Sequence, residues 1–170
     1  PREKEILIAE NWGSVKVIDK NGNTLTDWQY DFGDQLWGTP AIGDLNGNGE
    51  NEIVLTSKSG KAVILDSYGN ELMVYHANQY LMGTPSLANL DNDDYLEIVF
   101  AGYTTSGDIF AINHNGTDVD NFPININEKV LNGVAIYDLN NNGKDDIVVA
   151  TENEKLIQII YDDGNIENLF

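Results

Sequence analysis

Three short segments of this 170-residue chain are unusually rich in side-chain oxygen. They read DLNGNGENE from Asp44, NLDNDDYLE from Asn89 and DLNNNGKDD from Asp138, and each runs directly into an apolar stretch. Carboxylate or amide side chains recur at positions 1, 3, 5 and 9 of every segment. Oxygen donors at alternate positions of a tight loop suit Ca²⁺, which takes about six to eight oxygen ligands. The spacing therefore predicts three calcium loops.

The predicted ligands follow one arrangement in all three loops. Side-chain oxygens come from positions 1, 3, 5 and 9, whereas position 7 varies in chemistry and is expected to use its backbone carbonyl. The predicted ligands are Asp44, Asn46, Asn48, Glu50 and Glu52 in loop 1; Asn89, Asp91, Asp93, Tyr95 and Glu97 in loop 2; and Asp138, Asn140, Asn142, Lys144 and Asp146 in loop 3. We expect about three ions, one for each loop.

Two other interpretations of these loops were weighed. An EF-hand begins in the same way but needs a bidentate Glu at position 12, where this chain has Leu55, Phe100 and Val149. Turns capped by Asx side chains, with no metal, stay open as an alternative. Loop 2 also differs from the others at position 6, where Asp94 replaces a glycine and a positive φ is expected.

The elements that position these loops form an internal repeat. The turn glycines Gly22, Gly69, Gly116 and Gly164 recur at spacings of 47, 47 and 48 residues. Each follows a short β-rich run, which itself follows a second hairpin signal and an earlier apolar run. One unit therefore contains four short strands, with the oxygen-rich loop between the first and the second. No stretch shows a convincing helical period.

Four strands in about 40 to 50 residues are typical of a β-propeller blade. A sandwich rarely repeats so regularly, and a β-solenoid repeat is shorter. The sequence thus predicts an all-β chain of antiparallel four-stranded blades: an incomplete first blade over residues 1–37, then blades over 38–82, 83–131 and 132–170. About 3.75 blades and fifteen strands are expected, as a single propeller segment.

The loop pattern resembles the calcium-binding repeats of the FG-GAP/VCBS family, found in integrin α-subunit propellers and many bacterial surface proteins. GTPAIGDLNGNGENEIVL, residues 38–55, matches the core of that repeat closely, and the resemblance covers nearly the whole chain. It implies a calcium-stabilised propeller, usually extracellular, used in adhesion or as a scaffold beside other domains. This chain departs from the family pattern DxDxDGxxD where asparagine replaces several of the ligand aspartates.

Composition narrows the range of partners. Lys and Arg total 9 against 28 Asp and Glu, giving a formal net charge of −19, which repels nucleic acid and anionic lipid surfaces. The chain has no cysteine, which excludes disulfides, zinc–thiolate sites and thiol catalysis. No apolar run approaches the length of a membrane span. The chain opens inside a strand pattern without a signal peptide, so we expect an excised piece of a secreted or cell-surface protein.

Catalysis is not expected. His76 and His114 fall on different blades, no nucleophile motif or phosphate loop is present, and the metal-ligand positions account for the carboxylate pairs. A glycosidase, which also uses paired carboxylates, is the weaker possibility. The sequence therefore predicts a non-catalytic binding or adhesion module for a protein or glycan. The alternative is an accessory propeller of a larger exported enzyme, such as a polysaccharide lyase or a peptidase.

Aromatic residues are the candidates for ligand contact. Hairpin alternation places the metal loops on one face of a propeller and four aromatic residues on the opposite face: Trp12, Trp37, Tyr80 and Tyr103. Exposed aromatic rings suit sugar stacking or protein recognition. An incomplete ring would also leave apolar blade faces open, so self-association or membership of a longer propeller is expected, with a closed four-bladed monomer as the competing outcome.

Overall fold

The computed structural model describes residues 5–91, 93–152 and 157–169, and fifteen β-strands account for the regular structure in these ranges. The strands are β1 Ile6–Ala9, β2 Ser14–Ile18, β3 Thr24–Asp31, β4 Ala41–Gly43, β5 Glu52–Thr56, β6 Lys61–Leu65, β7 Glu71–His76, β8 Ser86–Ala88, β9 Glu97–Ala101, β10 Asp108–Ile112, β11 Ile124–Asn125, β12 Ala135–Tyr137, β13 Asp146–Ala150, β14 Ile157–Ile160 and β15 Ile166–Asn168. Within these ranges, no helix is long and apolar enough to cross a membrane.

The strands form four antiparallel sheets in chain order. We number them blades 1 to 4: β1–β3, β4–β7, β8–β11 and β12–β15, the first with three strands and the others with four. Within each blade, neighbouring strands are joined by hairpins or short loops, as in Ala41↔Val54 and Ile53↔Leu65 of blade 2. The predicted all-β architecture of four-stranded antiparallel blades is confirmed.

Burial of the central strands explains their sequence patterns. In blades 2 and 3, β5 and β9 are buried at every residue, because each of these blades has a neighbour on both faces. In the terminal blades, β2 and β14 alternate between buried and half-buried residues, because one face lacks a neighbour. A continuous apolar run therefore marks an inner blade, whereas period-two alternation marks an end blade.

The core is divided among the interfaces between consecutive blades. Val15 and Val17 of blade 1 pack with Leu55 and Leu65 of blade 2. The next cluster joins the opposite face of blade 2 to the ring of Phe100 in blade 3. A third cluster, which includes Ile109, Ala111, Ile147 and Val149, joins blades 3 and 4. The buried residues described here form no such cluster between blades 4 and 1, so the blades make an open arc.

The inner ends of the blades approach one another through glycine. A side chain at Gly38 would place its Cβ 2.5 Å from the carbonyl oxygen of Gly83, and a side chain at Gly83 would place its Cβ 2.3 Å from that of Asn132. A hydrogen bond from the Thr56 hydroxyl to the Gly83 carbonyl, at 2.9 Å, ties the same segment to blade 2. These contacts fix the spacing of the blades at the strand ends opposite the oxygen-rich loops, because Gly38 and Gly83 precede β4 and β8 whereas the loops follow those strands.

Candidate functional site

The oxygen-rich loops connect the innermost strand of a blade to the next strand, at β4–β5, β8–β9 and β12–β13. Position 9 of each loop is the first residue of the second strand, and all three carboxylates, of Glu52, Glu97 and Asp146, are buried. Each carboxylate accepts a hydrogen bond from the backbone N–H at position 2 of its own loop, at 2.8, 2.7 and 2.9 Å respectively. A buried carboxylate thus anchors every loop.

Loops 1 and 3 fold around the aspartate at position 1. In loop 1, the Asp44 carboxylate accepts hydrogen bonds from the N–H groups of Asn48 at 3.1 Å and Gly49 at 2.7 Å. Loop 3 repeats the arrangement around Asp138, with the N–H groups of the equivalent residues at 3.1 and 2.9 Å. Gly49 and Gly143 have φ values of 86° and 91°, which turn these N–H groups toward the aspartate.

The asparagine at position 3 links the same two loops to their buried carboxylates. The Asn46 Oδ1 accepts a hydrogen bond from the N–H of Asn48 at 3.2 Å, and its Nδ2 donates to Glu52 Oε1 at 3.2 Å. In loop 3 the corresponding distances around Asn140 are 3.0 Å and, to Asp146, 3.5 Å. The amide therefore bridges the loop backbone and the carboxylate at position 9.

Loop 2 brings carboxylates together instead. Asp91, Asp93 and Glu97 each offer an oxygen, and these oxygens lie within 4.8 Å of one another. Asp91 Oδ1 accepts from the N–H of Asp93 at 2.8 Å, and Asp93 Oδ1 accepts from the N–H of Tyr95 at 2.7 Å. Two buried oxygens, Glu97 Oε1 and Asn89 Oδ1, have no hydrogen-bond donor among the described residues.

Burial also changes the acidity of Glu97. Loss of hydration, together with the nearby charges of Asp91 and Asp93, raises the pKa of Glu97 to about 7, although the Leu90 N–H acts in the opposite direction. Glu97 is fully buried. Although Oε2 accepts the Leu90 N–H, Oε1 lacks, among the described residues, the hydrogen bond that a buried charge needs. A divalent cation among these three side chains would compensate that charge, so the residues of loop 2 fit a metal ion.

The backbone of loop 2 departs from the expected course at one point. Asp94, in the place of the position-6 glycine, does not adopt a positive φ, whereas Gly49 and Gly143 do. The prediction of a positive φ at Asp94 was wrong, because a residue with a Cβ avoids the left-handed region when another path is open. Loop 2 takes that other path and does not wrap around Asn89 as the other loops wrap around their aspartates.

The side chains at position 7 point away from the loops. Glu50 accepts a hydrogen bond from the Ser67 hydroxyl at 3.1 Å, and the Lys144 ammonium lies 3.3 Å from an Asp162 oxygen. The Tyr95 ring contacts that of His114, with 4.5 Å between ring centroids. A metal ligand at position 7 is therefore still predicted to be the backbone carbonyl. The metal-ligand roles of the fifteen residues stay predictions.

An acidic cavity beside loop 2 was missed by the sequence analysis. This cavity, of about 490 Å³, lies between blades 3 and 4, and its walls include Asp91, Asp118, Asp120, Asp162 and the side chain of Lys144. Asp118 and Asp162 lie in the segments that follow the third strands of blades 3 and 4, and the sequence analysis did not single them out. Asp118 comes two residues after Gly116 and Asp162 two before Gly164, so the repeat gave no signal that would bring them together.

The aromatic candidates differ in exposure and in partners. Trp12, Trp37 and Tyr80 are 78%, 52% and 56% exposed. Trp12 lies in the β1–β2 hairpin, on the face opposite the oxygen-rich loops. Tyr103 is half-buried, lies under the ammonium of Lys129 at 5.3 Å from the ring centroid, and donates its hydroxyl to Glu152 at 3.1 Å. Tyr103 therefore has less free surface for a ligand than the other three.

The two tryptophans are held close together by backbone contacts. The Leu36 N–H donates to the Asn11 carbonyl at 3.1 Å, and the Asn11 side-chain amide donates to the Leu36 carbonyl at 3.3 Å. Trp12 and Trp37 directly follow these two residues. The double contact brings a hairpin tip and a linker between blades to one place, with an exposed indole on each.

Comparison with known proteins bears on the fold. No protein-family model and no curated protein matches the sequence. Among solved structures, BBS1N in complex with ARL6DN has a TM-score of 0.73 at 12% identity, over 96% of this chain and 50% of that one. The C-terminal domain of Pseudomonas aeruginosa PilY1 has a TM-score of 0.64 at 17% identity, over 91% and 37%. A Bacteroides caccae protein of unknown function has a TM-score of 0.53 at 14% identity, over 96% and 56%.

These similarities decide the architecture. The fold is that of a β-propeller. At 17% identity or less, the likeness shows the fold alone. The chain spans 50% and 37% of the first two structures, and four blades in an open arc are consistent with that share.

Proposed function

We propose that this chain is a non-catalytic, calcium-stabilised β-propeller module of the FG-GAP/VCBS type that binds a protein or a glycan outside the cell. One observation carries the calcium part of the proposal. In loop 2, three carboxylates have oxygens within 4.8 Å of one another, and the fully buried Glu97 has an oxygen with no donor among the described residues. A hard divalent cation is the partner that this donor set lacks.

The proposed ion would act on structure. Asp91 and Asp93 belong to the loop, whereas Glu97 opens β9, so an ion held by all three ties the loop to the centre of blade 3. Extracellular calcium modules commonly operate at about 10⁻⁴–10⁻³ M. The location outside the cell is part of the proposal and rests on the resemblance of the loops to the FG-GAP/VCBS repeats.

The proposed binding surface is the face opposite the calcium loops. Trp12 and Trp37 supply two large exposed rings on residues that follow the hydrogen-bonded pair Asn11 and Leu36, and such rings stack on sugars or fill pockets of a protein partner. The net charge of −19 disfavours nucleic acid and anionic membranes as partners. A neutral or cationic ligand fits this surface better than an anionic one.

Metal removal tests the calcium proposal. We expect elemental analysis of the purified chain to find calcium and EDTA to lower the melting temperature, because Glu97 then loses its partner. Asp93→Asn should weaken calcium binding, whereas Asp120→Asn, which makes the same charge change in the adjacent cavity, should leave it nearly unchanged. An equal melting temperature with and without EDTA, and no bound metal, would refute the proposal.

Ligand binding is tested on glycan and protein arrays. Trp12→Ala should abolish or strongly weaken any binding without changing the melting temperature, because the side chain is 78% exposed. Tyr68→Ala is the matched control, since Tyr68 is 58% exposed but lies in the β6–β7 turn, on the face of the calcium loops. Equal loss in both variants would remove the tryptophan face as the binding surface.

A further inference from the structure

We infer that loops 1 and 3 hold their shape without a cation, because an asparagine amide takes the cation's place, so that the chain binds one calcium ion, at loop 2, and not three. The inference rests on the proposed function in one respect, that a cation binds at loop 2. It departs from the expectation of one ion for each loop. The residues at positions 1 and 3 carry the difference.

The side chain at position 3 has the same orientation in all three loops. Its Oδ1 accepts a hydrogen bond from the N–H at position 5, at 3.2 Å for Asn46, 2.8 Å for Asp91 and 3.0 Å for Asn140. With one atom fixed in this way, the remaining atom is turned to the interior of the loop. In loops 1 and 3, that atom is an NH₂ group, which donates to the buried carboxylate at position 9.

In loop 2 the same position presents an oxygen. Asp91 therefore brings a second negative charge toward Glu97 and no donor, and Glu97 Oε1 has no partner among the residues that the structure describes. Two carboxylates this close repel each other unless a proton or a cation lies between them. Aspartate in place of asparagine at position 3 thus removes the donor that the buried carboxylate has in loops 1 and 3.

At position 1 the residue types are exchanged: loops 1 and 3 have an aspartate, whereas loop 2 has an asparagine. Asp44 and Asp138 each accept two backbone N–H groups, so their oxygens already have donors. A cation entering loop 1 or 3 would compete with those bonds. The buried Oδ1 of Asn89, by contrast, accepts no hydrogen bond from a donor within the described ranges. At positions 1 and 9, loop 2 therefore has oxygens without a donor among the described residues, whereas the equivalent oxygens of loops 1 and 3 accept hydrogen bonds.

The amides of loops 1 and 3 cannot simply be reversed to serve as ligands. Reversal of Asn46 would place its carbonyl against Glu52 and its NH₂ against the N–H of Asn48, which replaces two hydrogen bonds by two repulsive contacts. In loop 3, Asp146 Oδ1 also accepts from the N–H of Asp162 at 3.3 Å. Both buried carboxylates are thus supplied with donors by the chain itself.

Counting ions tests the inference. At saturating calcium, native mass spectrometry of the full chain should give one bound ion. Two or three ions would overturn the inference and leave the proposed calcium site standing. No ion at all would overturn the calcium proposal itself, so the two failures are distinguishable.

Reciprocal substitutions test the mechanism. Asp91→Asn should reduce the ion count from one to zero and, in EDTA, raise the melting temperature above that of the unaltered chain by about 2–4 °C, because the new amide donates to Glu97. A retained ion, or a lower melting temperature in EDTA, would contradict the inference.

The converse variant is Asn46→Asp, which should raise the ion count to two and lower the melting temperature in EDTA. Asn51→Asp is its control, since it adds the same charge at an exposed position of the same loop and should leave the count at one. An Asn46→Asp variant that binds no additional ion would contradict the exchange of amide for cation.

Discussion

The four turn glycines share one backbone conformation but have different neighbours. Gly22, Gly69, Gly116 and Gly164 have φ values of 85°, 84°, 84° and 85°. A Cβ at Gly22 would meet nothing within 4 Å, whereas one at Gly69 would lie 3.1 Å from the ring of the buried Trp28. The indole of Trp28 cannot retreat, since its Nε1 donates to the Ser67 carbonyl at 3.0 Å. Alanine at Gly22 would therefore add backbone strain alone, whereas alanine at Gly69 would add both backbone strain and a steric contact with Trp28.

We predict a graded response to alanine at these turns. Gly22→Ala should cost about 1–2 kcal/mol, the usual penalty for a Cβ in the left-handed region. Gly69→Ala should cost about 1–3 kcal/mol more, because the rigid indole must shift. Gly116→Ala should fall between them, since the atoms nearest to a Cβ there belong to the flexible side chain of Met73. Urea unfolding of the three variants measures the order, and equal losses in all three would contradict it.

At the scale of elements, aromatic residues join blades 2 and 3. The rings of Phe100 and Phe110 are stacked with centroids 5.3 Å apart, and the Tyr75 ring meets both edge-on at 5.8 and 6.1 Å. The Tyr75 hydroxyl continues outward and donates to Asp118 at 2.8 Å. Blades 1 and 2 are joined in the same way at their rim, where the Tyr30 hydroxyl donates to Glu71 at 2.8 Å. Apolar contact lies at the centre of an interface and a tyrosine hydrogen bond at its edge.

We predict that the centre of this interface contributes more than its edge. Phe100→Ala should cost about 3–5 kcal/mol, because it leaves a cavity between two stacked blades. Tyr75→Phe should cost about 0.5–1.5 kcal/mol, because it removes one hydrogen bond and keeps the ring. Leu72→Ala, at a side chain that is 55% exposed, is the control and should stay within about 0.5 kcal/mol. Chemical denaturation gives the three values, and a larger loss for Tyr75→Phe than for Phe100→Ala would refute the ranking.

At the scale of the whole molecule, the arc has two uncovered ends. On blade 1, Ile6 and Ile8 point away from blade 2 and are 58% and 38% exposed. On blade 4, Val148 and Ile159 pair across strands on the face away from blade 3 and are half-buried. Sheet faces of this kind attract another sheet, either of a second copy or of further blades in a longer chain. Self-association through them stays a proposal.

We predict concentration-dependent self-association of the isolated chain. Light scattering should show a mass that rises with protein concentration, and Ile8→Lys should shift the balance toward the monomer by placing a charge on the open face. Leu72→Lys adds the same charge to an exposed position of blade 2 and should leave association unchanged. A well-folded monomer at all concentrations would contradict the prediction.

Local sequence determined where the strands and loops lie. The glycine period placed the turns, and the apolar runs placed β5, β9 and β13, each beginning at the position-9 residue of its loop. These features could be predicted because turn chemistry and period-two patterning act over a few residues. The same local reasoning erred at Asp94, whose φ follows from the path of the whole loop and not from the residue that usually occupies that place.

Only the tertiary structure distinguished the hydrogen bonding of loop 2 from that of loops 1 and 3. By sequence, all three loops carry oxygen at positions 1, 3, 5 and 9, and an amide and a carboxylate look equivalent as ligands. In the folded chain, the N–H at position 5 fixes one atom of the position-3 side chain, and the atom that remains is a donor at Asn46 but an oxygen at Asp91. One oxygen of Glu97, Oε1, is left without a donor among the described residues for that reason. Whether a buried oxygen has a partner depends on where each N–H points, and the backbone path sets that direction only once the blade has formed.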